Sequence, residues 1–282
     1  MKNYYRLLRN HKYPGRFIVA RLLMLTGACR FFTIAQQGYR LRFHHSNVAM
    51  YRWIAPLEPN EDLEFFRAYL KPGDTVVDVG ANIGETVLTE SLAVGGSGRV
   101  IAFEPHPRTF RFLSQNLELN QVRNVEAHNI GLGEKPGTVS FSDNKRDDMN
   151  RVDGDDSGLE VRIDRLDNCV PSPGRVQLLK VDVEGYEKFV FAGAPELLKR
   201  AECVYFEVSS THFGWFGYTT RELLEVLIQA GFQLFRIVEP GCLAPIPASF
   251  ESAHFENLVA LRDLPSFQQR SGWRMECHQP AN

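Results

Sequence analysis

The stretch "LLKVDVEG" (178–185) carries Lys180, Asp182 and Glu184 at every second position, with Val181 and Val183 between them. In an extended strand that spacing puts the three ionisable groups on one face and the valines on the other. A central strand buried on both faces is normally apolar throughout, so three charges in it require a reason. Lys180 beside Asp182 favours an ionised carboxylate, and Glu184, just before Gly185, falls at the carboxyl end of the strand. Asp182 and Glu184 are therefore candidates for taking a proton from a bound substrate, directly or by holding a divalent ion. The structural alternative is a buried Lys180–Asp182 pair with Glu184 bonded to loop amides. Two oxygens on one face do not define a metal site, and no metal ligands are assigned. His212, in "SSTHFGWFGYT", is a second candidate base, and Glu207 at the end of the preceding apolar run can orient it. The aromatic residues beside it, Phe213, Trp215, Phe216 and Tyr218, suit stacking on a sugar face or an apolar chain, or packing of their own loop.

A second chemical signal is "DTVVDVGANIGETVL" (74–88), an apolar run that breaks at Gly80 and resumes with helix-compatible residues after Gly84. It reads as a buried strand turning sharply into a helix, the place where parallel sheets bind ligands. Asn82 stands where a dinucleotide fingerprint has its middle glycine, which disfavours a nicotinamide-dependent oxidoreductase. Glu104 closes the next apolar run, "RVIAFEP", where a carboxylate can accept both hydroxyls of a ribose.

The elements that must position these residues alternate. After "EDLEFFRAYL", a short amphipathic helix, come strand "TVVDVG", a helix from about Gly84, strand "RVIAFEP", helix "PRTFRFLSQNLELN" and strand "NVEAHNIGL". An irregular acidic stretch from Asp143 to Glu160 interrupts the pattern. It resumes with strand "VQLLKVDVEG", helix "EKFVFAGAPELLKR", strand "ECVYFEVS" and helix "TTRELLEVLIQAG", the last with a capping box from Thr219 to Glu222. Alternation with short turns implies a mostly parallel sheet covered on both faces, because parallel strands need crossovers. The final runs "FQLFRIV" and "ENLVALR" have no helix between them and are expected to pair antiparallel. "YRLRFHHSNVAMYRW" (39–53) alternates like a small hairpin, and the end of the chain, 266–282, reads as a loose tail.

"VVDVGANIGETV", followed by "VIAFEPHPRTFRFLSQNLELN", "LLKVDVEGYEKFVFAGA" and "VYFEVS", resembles the FkbM family of S-adenosylmethionine-dependent methyltransferases over roughly Gly73 to Glu207. The resemblance implies a class I, Rossmann-like α/β fold: a seven-stranded, mostly parallel sheet ending in an antiparallel hairpin, in a domain spanning 71–265. It implies S-adenosylmethionine as cofactor and O-methylation of a hydroxyl on a glycan, a lipid-linked sugar or a polyketide-like molecule. Asp78, Gly80, Ala81, Asn82 and Gly84 match the family's first motif, expected around the methionine part of the cofactor. Glu104 is expected on the ribose, and Asn129, near the end of the third strand, on the adenine edge. Transfer to an alcohol also needs its proton removed, the task assigned to Asp182, Glu184 or His212.

Charge and cysteines bound the rest. Of the 282 residues, the first 53 hold ten Lys or Arg and no Asp or Glu, whereas the whole chain has a net charge of -2. Such a one-signed arm in a basic extension (1–70) fits contact with an anionic membrane surface or glycan, or a solvated helix that caps the domain. Nucleic acid is the weaker partner class. The apolar patch at 17–28 is interrupted by Arg21 and is too short to span a bilayer, and no clean signal-peptide cleavage site follows. Five cysteines without ligand spacing fit a reducing compartment, and a cytoplasmic enzyme, peripheral to the inner membrane surface if the arm binds lipid, is expected. The competing non-enzymatic reading is a degenerate methyltransferase fold that binds an anionic surface through its arm.

Overall fold

The computed structural model describes residues 12–142, 151–152, 158–171, 174–252 and 254–276. Most of the acidic stretch, the first eleven residues of the arm and the end of the tail lie outside these residues. The chain opens with helix α1 (Pro14–Leu25), strands β1 (Thr33–Ala35) and β2 (Arg40–Arg42), and helices α2 (Asn47–Ile54) and α3 (Glu61–Tyr69). The alternating part begins with β3 (Thr75–Val79), α4 (Glu85–Val94), β4 (Arg99–Phe103), α5 (Pro107–Leu119) and β5 (Val125–His128). Next come β6 (Gly131–Leu132), β7 (Gly137–Phe141), β8 (Leu159–Asp164) and α6 (Leu166–Cys169). The second half holds β9 (Val176–Val181), α7 (Glu187–Ala192), α8 (Pro195–Arg200), β10 (Ala201–Val208), α9 (Ser210–Trp215) and α10 (Thr220–Gln229). It closes with β11 (Gln233–Glu239), β12 (Cys242–Pro245), β13 (Glu256–Leu261), α11 (Leu264–Ser271) and β14 (Arg274–Met275).

The main sheet has nine strands in the order β14-β12-β11-β13-β10-β9-β3-β4-β5. From β5 to β10 all neighbours are parallel, and β13 lies antiparallel between β10 and β11. The seven strands of a class I methyltransferase sheet are therefore present with their antiparallel ending. The last two apolar runs pair as expected, Gln233 opposite Leu261 and Arg236 opposite Leu258. β12 and β14 extend that edge to nine. Strand alternation divides the core into two layers: Val77, Val79, Leu179 and Val181 face one, while Val76, Val100 and Leu178 face the other. A separate three-stranded sheet, β6-β8-β7, leaves the main one after β5.

Three sequence expectations change. Within 39–53 only Arg40–Arg42 is a strand, and its antiparallel partner is Thr33–Ala35. The rest turns helical at Asn47, where Ser46 caps the helix by accepting from the Ala49 amide at 3.2 Å. The tail is not loose as far as Met275: α11 buries Phe267, and Trp273 packs beside it on the face that holds Phe65 and Tyr69. Strand β9 stops at Val181, so Asp182 and Glu184 belong to the turn beyond it rather than to a continuous charged face.

The basic extension packs onto the alternating part. Ala20, Met24, Leu41 and Phe43 share a buried cluster with Ile83, Leu88 and Phe112. The amides of Arg40 and Arg42 donate to the side chains of Asn120 and Asn116, both at 2.8 Å. Buried Arg52 reaches Glu85, the first residue of α4, at 2.5 Å. Several of the arm's charges are thereby engaged internally: Arg16 donates to the Trp53 carbonyl at 2.6 Å, and Lys12 pairs with Glu58 at 2.8 Å.

Candidate active site

The turn after β3 is built by backbone geometry that side chains rarely allow. Gly80 and Gly84 have φ of 84° and 87°, and Asn82 has φ of 47°. A Cβ on Gly80 would fall 1.8 Å from the Asp182 carbonyl oxygen, so only glycine lets the turn lie against the loop after β9. The amides of Gly80 and Ala81 both donate to the Phe103 carbonyl at 3.0 Å, tying the turn to the end of β4.

Beneath the turn lies a buried charge cluster. The Lys180 ammonium sits 3.0 Å from Asp78 and 3.7 Å from Asp182, and donates to the Gly80 carbonyl at 2.7 Å. Burial disfavours its charge, but Asp78 and then Asp182 outweigh burial and hold its pKa above the ordinary lysine value. Asp78 also accepts from the Thr86 hydroxyl at 2.6 Å and is fully buried. Its expected contact with cofactor is corrected: it supports the turn from below, and Lys180 takes it rather than Asp182 as the closer partner. Glu90, also fully buried, was not singled out by sequence; burial first, then Asp78, pushes its pKa well up. Nothing in its helical context marks it as different from a surface glutamate, because only the fold brings α4 against β3.

Above the turn is a cavity of about 270 Å³. Gly80, Ala81, Asn82, Glu104, Asp182 and Glu184 all line it. Both Glu104 oxygens are held by amides, Asn82 and His106 each donating at 2.9 Å. Burial raises its pKa to about 7 against the effect of those two bonds. Asn129 is not in the cavity; its amide donates to the Glu104 and Pro105 carbonyls at 2.8 and 2.9 Å. The expected adenine contact is thereby corrected, because that side chain is spent on bracing the loop that carries Glu104. The wall sequence reading missed is apolar: Ile130, Leu132, Phe141, Val161 and Ile163, supplied by the small sheet and its approach. Val48 and Asp62 from the extension also line the cavity, and Asp62 accepts from the hydroxyl of Tyr205 and from Asn257.

The loop after β9 is locked from several sides. Glu184 has φ of 56°, a left-handed conformation uncommon for a non-glycine residue. Buried Glu187 accepts from the amides of Val183 and Gly185 at 3.0 and 3.2 Å, and the Tyr218 hydroxyl donates to the Gly185 carbonyl at 2.7 Å. A Cβ on Gly185 would meet the His212 Cβ at 2.8 Å, so glycine brings this loop directly under α9. As a result the Glu184 carboxylate lies 3.4 Å from His212 Nδ1. Burial, then Arg151, lowers the His212 pKa and favours neutral imidazole. Glu207 stands close by at the end of β10, where burial and then the charges of Asp182 and Glu184 push its pKa to about 10. Glu184 and His212, candidates from separate segments, are thus neighbours.

The lining suits a cationic cofactor with a nucleoside. Asp62, Glu104, Asp182 and Glu184 face the cavity, while Lys180 is the one Lys or Arg lining it among the described residues, and it is neutralised from below. Acidic oxygens fit a sulfonium and an ammonium, Glu104 fits ribose hydroxyls, and the apolar wall fits a purine. Glu104→Ala is expected to weaken binding of the demethylated cofactor by about 1.5–3 kcal/mol per lost charge-assisted bond. Because the ionised carboxylate is the acceptor and is lost as pH falls through about 7, wild-type affinity should drop about tenfold from pH 8 to pH 6. Calorimetry across that range checks both; an affinity indifferent to pH and to the substitution would remove Glu104 from the ribose site.

Comparison with known proteins agrees with this geometry. The methyltransferase FkbM domain family matches residues 78–234. Hexuronic acid methyltransferase AglP of Haloferax volcanii is 30% identical over 75% of this chain and 88% of its own length. Methyltransferase 1 of Beauveria bassiana is 33% identical over 43% of this chain and 59% of its own length, so the match spans less than two thirds of that relative. The 2-O-methyltransferase NoeI of Sinorhizobium fredii is 25% identical over 56% of this chain and 72% of its own length. The match over more than half the chain, from the glycine turn through β9, β10 and the helices beyond, makes this chain a member of the FkbM family of S-adenosylmethionine-dependent methyltransferases.

Proposed function

We propose that the enzyme methylates a hydroxyl of a sugar, carried on a glycan or a lipid. The observation that carries this reading is an aromatic platform around the candidate base. His212 stacks on Trp215 at 4.4 Å between centroids and meets Phe255 edge-on at 4.6 Å, and Trp215 and Phe255 are 50% and 58% exposed. The exposed Phe255, beside these polar groups, suits the apolar face of a pyranose, while the Trp215 ring is already covered by His212 and Arg151. Arg151 lies over the Trp215 ring at 4.0 Å, a guanidinium placed for an acidic substituent, and the relatives named for hexuronic acid and 2-O-methylation support a sugar acceptor. When bound, S-adenosylmethionine supplies an electrophilic methyl group on a sulfonium sulfur. The glycine turn, Glu104 and the apolar wall hold that cofactor, Asp182 and Glu184 lie on the acceptor side, and Glu184 with His212 removes the hydroxyl proton.

Labelled cofactor incubated with acidic glycans, neutral glycans and lipid-linked sugars tests the reading. Label is expected in an acidic-glycan or lipid-sugar fraction and should resist mild alkali, as an ether does. Alkali-labile label would identify a carboxyl ester, and label confined to non-sugar alcohols would reject the sugar acceptor.

The extension favours a lipid-linked acceptor. Leu22 and Leu25 on α1 are exposed, as are Ile18, Val19, Phe31 and Phe32, with Arg21 and Arg30 among them. No helix among the described residues is long and apolar enough to cross a membrane, so this contact is a shallow one on an anionic surface. Co-sedimentation with anionic vesicles at low salt is expected, with loss in Leu22→Glu/Leu25→Glu; equal binding to neutral vesicles or by the variant would reject it.

A further inference from the structure

We infer that Glu184, Glu207 and His212 form a binding site for a divalent transition-metal cation on the acceptor side of the cavity. Each offers one ligand atom, and the three atoms lie within 4.8 Å of one another. Glu184 Oε2 and His212 Nδ1 are 3.4 Å apart, compatible with two ligands about 2.1 Å from one shared ion. The three come from different elements: a turn after β9, the end of β10 and the first turn of α9. Their convergence therefore belongs to the tertiary fold.

A second observation points to a ligand. His212 is only 6% exposed, yet its Nδ1 is buried without a hydrogen-bond partner. Glu207 Oε2 is likewise buried without one. Buried polar atoms left unsatisfied are costly, and two of them belong to the same small cluster. Trp215 by stacking and Phe255 by an edge-on contact hold the imidazole plane but cannot satisfy its nitrogen. A cation meets both demands at once, and also supplies a counter-charge to the carboxylate of Glu184.

The donor set decides the class of ion. One imidazole nitrogen with two carboxylates suits Mn²⁺, Fe²⁺, Co²⁺ or Zn²⁺ better than Mg²⁺ or Ca²⁺, which favour oxygen alone. Three protein ligands leave coordination positions open, and Glu184 borders the cavity. An acceptor hydroxyl bound there would lose its proton more readily, with the second carboxylate oxygen of Glu184 to receive it; this role rests on the acceptor reading above, whereas cation binding does not.

Metal-free full-length protein titrated with Mn²⁺ alone, and separately with Zn²⁺, tests the site without any acceptor. One saturable ion per chain is expected by calorimetry and by the electron paramagnetic signal of Mn²⁺. Glu207→Gln and His212→Ala should each weaken binding more than about tenfold while leaving affinity for the demethylated cofactor unchanged, which shows that the variants fold. Absence of saturable binding by the wild type, or equal binding by either folded variant, would overturn the site. Stoichiometric binding together with failure to label any sugar would instead reject the acceptor reading and leave the site standing.

Discussion

Glu184→Gln is expected to lose about 10²–10⁴-fold in turnover, the usual range for removing a positioned proton acceptor. Affinity for the demethylated cofactor should change little, because the ribose contact is proposed for Glu104 and the turn is held by Lys180 and Phe103. The physical reason is the loop. Glu184 occupies a left-handed backbone conformation that Glu187, Tyr218 and the close passage of Gly185 under His212 maintain. The substitution keeps size and backbone while replacing one carboxylate oxygen by an amide that neither takes a proton nor binds a cation well. Single-turnover kinetics with the identified acceptor, beside calorimetry, separate the two effects. Near wild-type turnover in Glu184→Gln with none in His212→Ala would transfer the proton acceptor's role to His212.

Lys180→Met is expected to cost about 3–5 kcal/mol of stability, the range for leaving a buried charge without its partner. Asp78 would keep the Thr86 hydroxyl bond in a fully buried position beside Glu90 but lose its cationic partner, and the Gly80 carbonyl would lose its donor. In the double variant Lys180→Met/Asp78→Asn the uncompensated charge is gone, so much of the loss should return. Denaturant unfolding of the four species forms a double-mutant cycle. Additive losses would show that Lys180 and Asp78 act independently, contrary to their 3.0 Å separation.

These two substitutions lie four residues apart, across the end of β9, yet one addresses chemistry and the other stability. The sequence places Lys180, Asp182 and Glu184 in a common alternation, and alternation alone suggests a common face. The strand ends at Val181, however, so Lys180 stays buried under the glycine turn while Asp182 and Glu184 continue into a loop at the cavity. Strand ends depend on where hydrogen-bonded neighbours stop, which is a property of the assembled sheet.

The sequence by itself determined the alternating architecture, because apolar periodicity of two and of 3.6 is a local property of the chain. It also determined the glycine turn at Gly80–Gly84 and the acidic residue Glu104 at the next strand end, since both follow from strand-to-ligand geometry in parallel sheets. The antiparallel pairing of β11 with β13 was legible for the same reason: no segment between them could form a crossover helix. Only the tertiary structure decided that Asp78 and Asn129 brace loops instead of facing the cavity, because each finds partners distant in sequence: Lys180 for Asp78, and Glu104 and Pro105 for Asn129. It alone brought Glu184, Glu207 and His212 together, and closed the cavity with the apolar small sheet and with Val48 and Asp62 of the extension. Convergence of residues from separate segments is set by packing and crossover connections, which no local pattern of residue types encodes.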